Sequence, residues 1–139
     1  MAQTNQHHLV LIIARDFASR LSTPVFLVDV TGKVIYFNEG AERVLARRYV
    51  EGQSMEAGDW STVFEPSHDD GRPMELSEIP LGVAIIERRP DHGIVRIRGI
   101  DGVQRRIEVT AFPLFAHADE CLGAIAIFWE TPEPVPEDG

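Results

Sequence analysis

Few side chains in this sequence combine the type and the spacing that chemistry needs. The densest run is His68-Asp69-Asp70, which carries the imidazole and carboxylate donors that a metal ion takes. It sits within SHDDGRP, however, and acids in such stretches ordinarily hold turns by bonding nearby backbone. His7 and His8 are adjacent, and adjacent side chains diverge on a helix, so they do not share an ion. Asp29 closes an apolar run beside a turn, and Asp59 stands next to Trp60. General acid–base work needs a partner within hydrogen-bond reach, and the sequence offers neither acid an evident one. Cys121 is the only cysteine, so no intramolecular disulfide is possible; at the head of an apolar run it reads as a small buried hydrophobe. Arg96, Arg98 and Arg106 form a basic patch suited to an anionic partner or, more simply, to guarding an edge strand against aggregation.

The positions of these residues depend on the elements beneath them. Residues 7–21 place Val10, Ile13, Phe17 and Leu21 three or four apart, one stripe of an amphipathic helix. Leu9, Leu11 and Ile12 widen the stripe, so the helix wants cover on more than one side. Ser22, Thr23 and Pro24 end it. VFLVD (25–29) reads as a buried strand, Thr31-Gly32 as a turn and KVIYF (33–37) as the hairpin mate. Asn38 is placed to cap a helix over 38–48, which Gly40 keeps short.

Residues 50–74 are irregular, with Trp60, Val63 and Phe64 as apolar anchors. Ser77 is predicted to cap a second helix, with Pro80 in its first turn and Leu81, Ala84, Ile85 and Arg88 on one face. Strands are expected at 93–100, 103–115 and 121–130, the first two joined by an Asp101-Gly102 turn. The middle one alternates, with Ile107, Val109 and Ala111 inward and Arg106, Glu108 and Thr110 on a wet side, while CLGAIAIFWE is apolar on both faces. The ending TPEPVPEDG (131–139) reads as a disordered tail. The predicted class is α+β with one five-stranded antiparallel sheet, organised as an N-terminal helix (1–21), a domain (22–130) and the tail.

Composition sets limits on function. The chain has 139 residues, is 44% hydrophobic and 25% charged, and so suits one domain with a real core. Its formal net charge of −9 argues against non-specific nucleic-acid binding and against docking on an anionic membrane. The longest apolar run, LVLIIA, is too short to span a bilayer, and no lysine or arginine precedes it as in a signal peptide. The expected setting is soluble and cytoplasmic.

From about Leu21 to Glu130 the chain resembles the PAS domain family. The opening pattern stands as Asp29, Gly32, VIYFN and Ala41. The middle one stands as Asp70-Gly71-Arg72-Pro73, Glu78, Pro80 and Ala84, and the last as Asp101-Gly102, Arg106, Pro113 and Gly123. The resemblance implies a sheet in the order 2-1-5-4-3 with short helices on one face, and a bacterial sensory or interaction module rather than an enzyme. It also implies that small molecules or cofactors would sit between helices and sheet. Two departures stand out: ERRPDHG where relatives often carry a glycine after the second helix, and Pro132 where relatives lead into a signalling helix. The chain is thus a stand-alone module or part of something longer.

Matching the strands to the family puts Phe26, Val28, Val34, Tyr36, Val95, Ile97, Val109, Ala111, Ala124, Ala126 and Phe128 inside. Trp60, Phe64, Leu81, Ala84 and Ile85 come down from the helical side. These positions make a candidate pocket for a small apolar ligand, the alternative being a filled core. Val25, Leu27, Ile35, Ile125, Ile127 and Trp129 face the other way, where Leu9, Val10, Ile13 and Phe17 of the first helix are expected to pack and build a homodimer. No cofactor or metal is expected. The resemblance places a haem-ligating histidine on the second helix and a flavin-reactive cysteine in an NCRF-like motif, and the chain has neither; His68 or His92 would need another geometry. The alternatives are a haem- or other cofactor-binding PAS sensor and, after it, a ketosteroid-isomerase-like α+β enzyme, against which the early hairpin at 25–37 argues.

Overall fold

Long alternating strands and short capped helices give one sheet with a thick inner layer and a single helix outside. The computed structural model describes residues 2–50, 55–116 and 120–134, without the side chains of 2–8 and 57. The elements are α1 (Ala2–Ser19), β1 (Val25–Asp29), β2 (Val34–Phe37), α2 (Glu39–Leu45), α3 (Ala57–Val63), α4 (Pro80–Glu87), β3 (Asp91–Arg98), β4 (Gln104–Phe115) and β5 (Cys121–Glu130). The sheet is antiparallel in the order β2-β1-β5-β4-β3. Both the α+β class and the expected strand order hold.

The first hairpin turns on Asp29. Its Oδ1 accepts from the Thr31 amide, the Thr31 hydroxyl and the Lys33 amide at 2.9, 2.6 and 3.0 Å, and Gly32 takes the left-handed φ of 89° that the turn needs. The pairing then slips. Phe26 faces Phe37 and Leu27 faces Tyr36, but Val28 faces Val34, so one extra residue is accommodated as a bulge. Strict alternation fails here, and Ile35 and Tyr36 both join the outer cluster. Tyr36, expected inside, is therefore outside, and Phe37 takes the inner place, stacked on Phe26 at 5.6 Å.

The inner layer is built from α2, α3, α4 and the inner faces of the strands, and it forms one apolar cluster. Gly40 lies buried in α2 because the Ser22–Pro24 backbone crosses directly over it, leaving no room for a Cβ. The second helix does not start as expected. A 3₁₀ turn (Leu76–Glu78) with a Glu75/Glu78 capping box comes first, and α4 begins at Pro80 with Ile79 as its cap, so Ser77 caps nothing. Strand β3 also runs 91–98 rather than 93–100, because the Gly99 amide turns to the Val103 carbonyl at 3.0 Å.

The chain leaves β5 along the arginines of β3 and β4. The Thr131 amide bonds the Arg106 carbonyl at 2.9 Å, and Glu133 pairs with Arg96 at 2.7 Å. Residues 131–134, expected to begin a disordered tail, are thus held by ionic contacts; the rest of that tail lies outside the described residues.

Candidate functional site

Between the helices and the sheet lies an apolar cavity of about 80 Å³. Of the candidate pocket residues, Phe26, Val95, Ile97, Val109, Ala126 and Phe128 line it from the sheet, and Trp60, Phe64 and Leu81 close it from above. Val28, Ala84, Ile85 and Ala111 belong to the same core without bordering the space, and Tyr36 is on the other face. Leu45, Pro66, Ile79 and Ile107 line it as well and were not expected to. Ile107 was legible, since it alternates with Val109. Pro66 and Ile79 were not, because both sit in irregular backbone that only folding carries over the sheet. The Trp60 indole N–H in this wall is already spent on the Gly32 carbonyl at 2.7 Å.

The outer face is closed differently. Val25, Leu27 and Ile125 are fully or nearly fully buried, covered by Ala14, Ala18 and Leu21 of α1 and the chain just after it. The helix is rotated from the expected orientation. Its small residues face the sheet, while Leu9, Ile12, Ile13 and Phe17 are 56, 55, 59 and 57% exposed. Alanines permit the close approach that the buried joint beneath them demands.

That joint is Asn38. Its Oδ1 accepts from the Ala41 amide at 3.0 Å, the expected N-cap of α2, and also from the Val25 amide at 2.9 Å. Its Nδ2 donates to the carbonyls of Ala18, Leu21 and Thr23 at 3.0, 3.2 and 2.9 Å. One side chain, 1% exposed, therefore caps the start of α2 and ties down the end of α1. Arg15 adds a second tie, its guanidinium 4.7 Å from the Tyr36 ring centre and 5.5 Å from that of Tyr49. Tyr36 thus reaches its use on the outer face.

The charged candidates are also accounted for. Asp69 Oδ1 accepts from Arg96 Nε at 3.0 Å and Arg106 Nε at 2.9 Å, and its Oδ2 from Arg106 Nη2 at 2.9 Å. The Arg106 hydrogen bond, reinforced by both guanidinium charges, holds the Asp69 carboxyl below the usual carboxylate range. Asp70 Oδ1 accepts from the Arg72 amide, which likewise lowers its pKa, and His68 contacts Glu78 at 3.0 Å. The HDD run is a turn and a clasp, and no metal-binding group of histidines, cysteines and acids occurs among the described residues. Arg98 pairs with Glu65 at 3.4 Å. The β3 edge that the arginines were expected to guard is partly covered by backbone, Ser67 exchanging both hydrogen bonds with Arg96 at 2.9 Å.

No protein-family model and no curated protein matches the sequence. Solved structures do match. A PAS domain from Colwellia psychrerythraea is 18% identical, with a TM-score of 0.57 over 88% of this chain and 97% of that one. The PAS domain of nitrogen regulation protein NR(II) from Vibrio parahaemolyticus is 15% identical, with a TM-score of 0.59 over 86% and 98%. The chain has a PAS fold. The PAS domain of the fruit-fly ELK potassium channel, 11% identical over 86% of this chain and 95% of that one, superimposes with a TM-score of 0.66.

This PAS cavity does not fit haem. Its volume is far below the roughly 300 Å³ at which sites for sizeable ligands begin, and no histidine lines it among the described residues. His68 is paired at the surface with Glu78, and His92 lies on the outer face against Glu108 at 2.9 Å. Cys121 is buried at the head of β5, away from the lining, with its thiol on the Gly123 carbonyl. The strand order of the PAS sheet likewise replaces the isomerase-like alternative as the account of this chain's fold.

Proposed function

We propose that this PAS fold serves as a sensory or protein-interaction module in signal transduction, and that it pairs with a second copy through α1. The observation that carries the reading is the exposed row Leu9, Ile12, Ile13 and Phe17, each more than half exposed on a helix whose other side already closes the sheet. A helix of this kind is apolar on two sides and is satisfied on one. Two such rows related by a two-fold axis would cover each other; Trp129, 39% exposed at the end of β5, lies against His92 at 6.3 Å. Val25, Leu27 and Ile125 lie under their own α1 and support the pairing helix without forming the contact. A signal would act by shifting α1 on the sheet, and Asn38 is the joint it would have to strain.

Light scattering at micromolar concentration tests this. The expected result is a dimer for the native chain and a monomer for Ile13→Glu/Phe17→Glu. A native monomer ends the pairing, and a dimer that survives both substitutions ends the role of α1. For a ligand, the cavity favours an apolar molecule of few heavy atoms, being about half the size of an engineered cavity of roughly 150 Å³ that takes benzene. Native mass spectrometry of freshly purified protein reads both the subunit count and any bound molecule.

A further inference from the structure

A second concavity, of about 430 Å³, opens beside the apolar cavity and differs from it in chemistry. It lies between the end of α3, the 65–74 segment and the turn end of the β3–β4 hairpin, where Arg98 pairs with Gln104, and Pro66 is the wall the two share. Three features mark it. Ser67 lines it and is only 9% exposed, yet its hydroxyl has no hydrogen-bond partner among the described residues. A hydroxyl without a protein partner on the wall of a concavity is available to bond to whatever enters it, water included. The Gln104 carboxamide, also in the lining, has no partner among the described residues either. At the mouth, Arg98 and Glu65 oppose each other at 3.4 Å with side chains 45% and 65% exposed, and Arg98 spends only Nη1 on a firm hydrogen bond, to the Gly102 carbonyl at 2.7 Å.

We propose that this cleft binds a small zwitterion of the free amino-acid class, its carboxylate on Arg98 and its ammonium on Glu65, with Ser67 and Gln104 bonding the remaining polar atoms. The charge pattern selects the class. A simple anion would meet Glu65 and a chain of net charge −9, and a simple cation would meet Arg98. A zwitterion meets an opposite charge at each end and replaces a loose, solvent-screened pair by two short ones. Glu65 also has a left-handed φ of 46°, unusual for a residue with a Cβ, and it stands between Phe64 and Pro66, both of which wall the apolar cavity. The site stands whether or not the chain dimerises.

The test is an NMR titration of ¹⁵N-labelled full-length chain with glycine, L-serine and L-glutamine, with acetate and methylamine as single-charge probes. The expected result is saturable shifts at Ser61, Ser67, Arg98 and Gln104 with the amino acids and none with acetate or methylamine. Arg98→Gln should weaken binding by about tenfold or more, the worth of one charge-assisted hydrogen bond. Glu65→Gln should let acetate bind. Both side chains are largely exposed, so the variants keep the fold. Absence of saturable shifts at millimolar amino acid, equal binding of acetate and glycine to the native chain, or undiminished binding to Arg98→Gln would each overturn the site.

Discussion

The two faces of the sheet are closed by different means. The inner face is sealed by large side chains, Phe64 and Phe128 among them, with Phe26 stacked on Phe37 at 5.6 Å and edge-on to Trp60 at 5.9 Å. The outer face is sealed by two alanines, a leucine and the five hydrogen bonds of Asn38, while Leu9, Ile12, Ile13 and Phe17 of α1 point outward. Apolar packing is non-directional and continuous, so the inner layer resists displacement at every point. A polar joint is directional and local. It fixes one rotation of α1 and gives it up if the joint breaks, which is the behaviour a movable element requires.

The comparison can be broken by experiment, and the largest effect belongs to the inner face. Phe128→Ala should cost about 4 kcal/mol in urea unfolding, the usual loss for a buried aromatic, since Phe128 is 4% exposed and borders the cavity. Asn38→Ala should cost about 3 kcal/mol, because it strands the buried Val25 and Ala41 amides and takes their Asn38 donor from the Leu21 and Thr23 carbonyls, while the Ala18 carbonyl keeps the Leu21 amide. A loss near that of an ordinary N-cap, about 1 kcal/mol, would mean the tie to α1 contributes nothing. Ala18→Leu should cost about 2 kcal/mol through overpacking under α1, Ala18 being fully buried.

Smaller effects sharpen the picture. Arg88 ends α4 with a left-handed φ of 56°, a conformation that favours glycine over a residue with a Cβ. Arg88→Gly should therefore stabilise the chain by about 1 kcal/mol in thermal unfolding.

The smallest effect is at the charge clasp. The folded pKa of Asp69 is depressed, so its contribution is present above the unfolded value and is lost as pH falls through the folded one. Residues 131–134 should stay ordered at neutral pH and loosen only below about pH 4, where carboxylates ordinarily protonate. ¹⁵N relaxation of Thr131 and Glu133 reads this directly, and Asp69→Asn should show the loosened state already at neutral pH.

Much of this was legible along the chain. Period-two alternation placed the inner faces of β3, β4 and β5, and turn chemistry at Thr31-Gly32 and Asp101-Gly102 placed both hairpins, because strand periodicity and turn geometry are local properties. Asn38 was legible only as the cap of the helix that follows it, since that contact spans three residues. Its bonds to Ala18, Leu21 and Thr23 span 15 to 20 residues and leave no periodic trace. The same holds for Asp69, whose arginine partners lie 27 and 37 positions away.

What the sequence by itself determined is the element order, the α+β class and which residues are apolar enough to be inside. What only the tertiary structure decided is rotation and register: the bulge that turned Tyr36 outward, the seating of α1 on its alanines, and the loop that carries Pro66, Ser67 and Asp69 across the β3 edge. The reason is physical. Composition and period state how much surface must be buried and along which stripe. Which stripe of a doubly apolar helix wins is set by how closely a buried polar group, satisfied only in the folded chain, draws the backbone in.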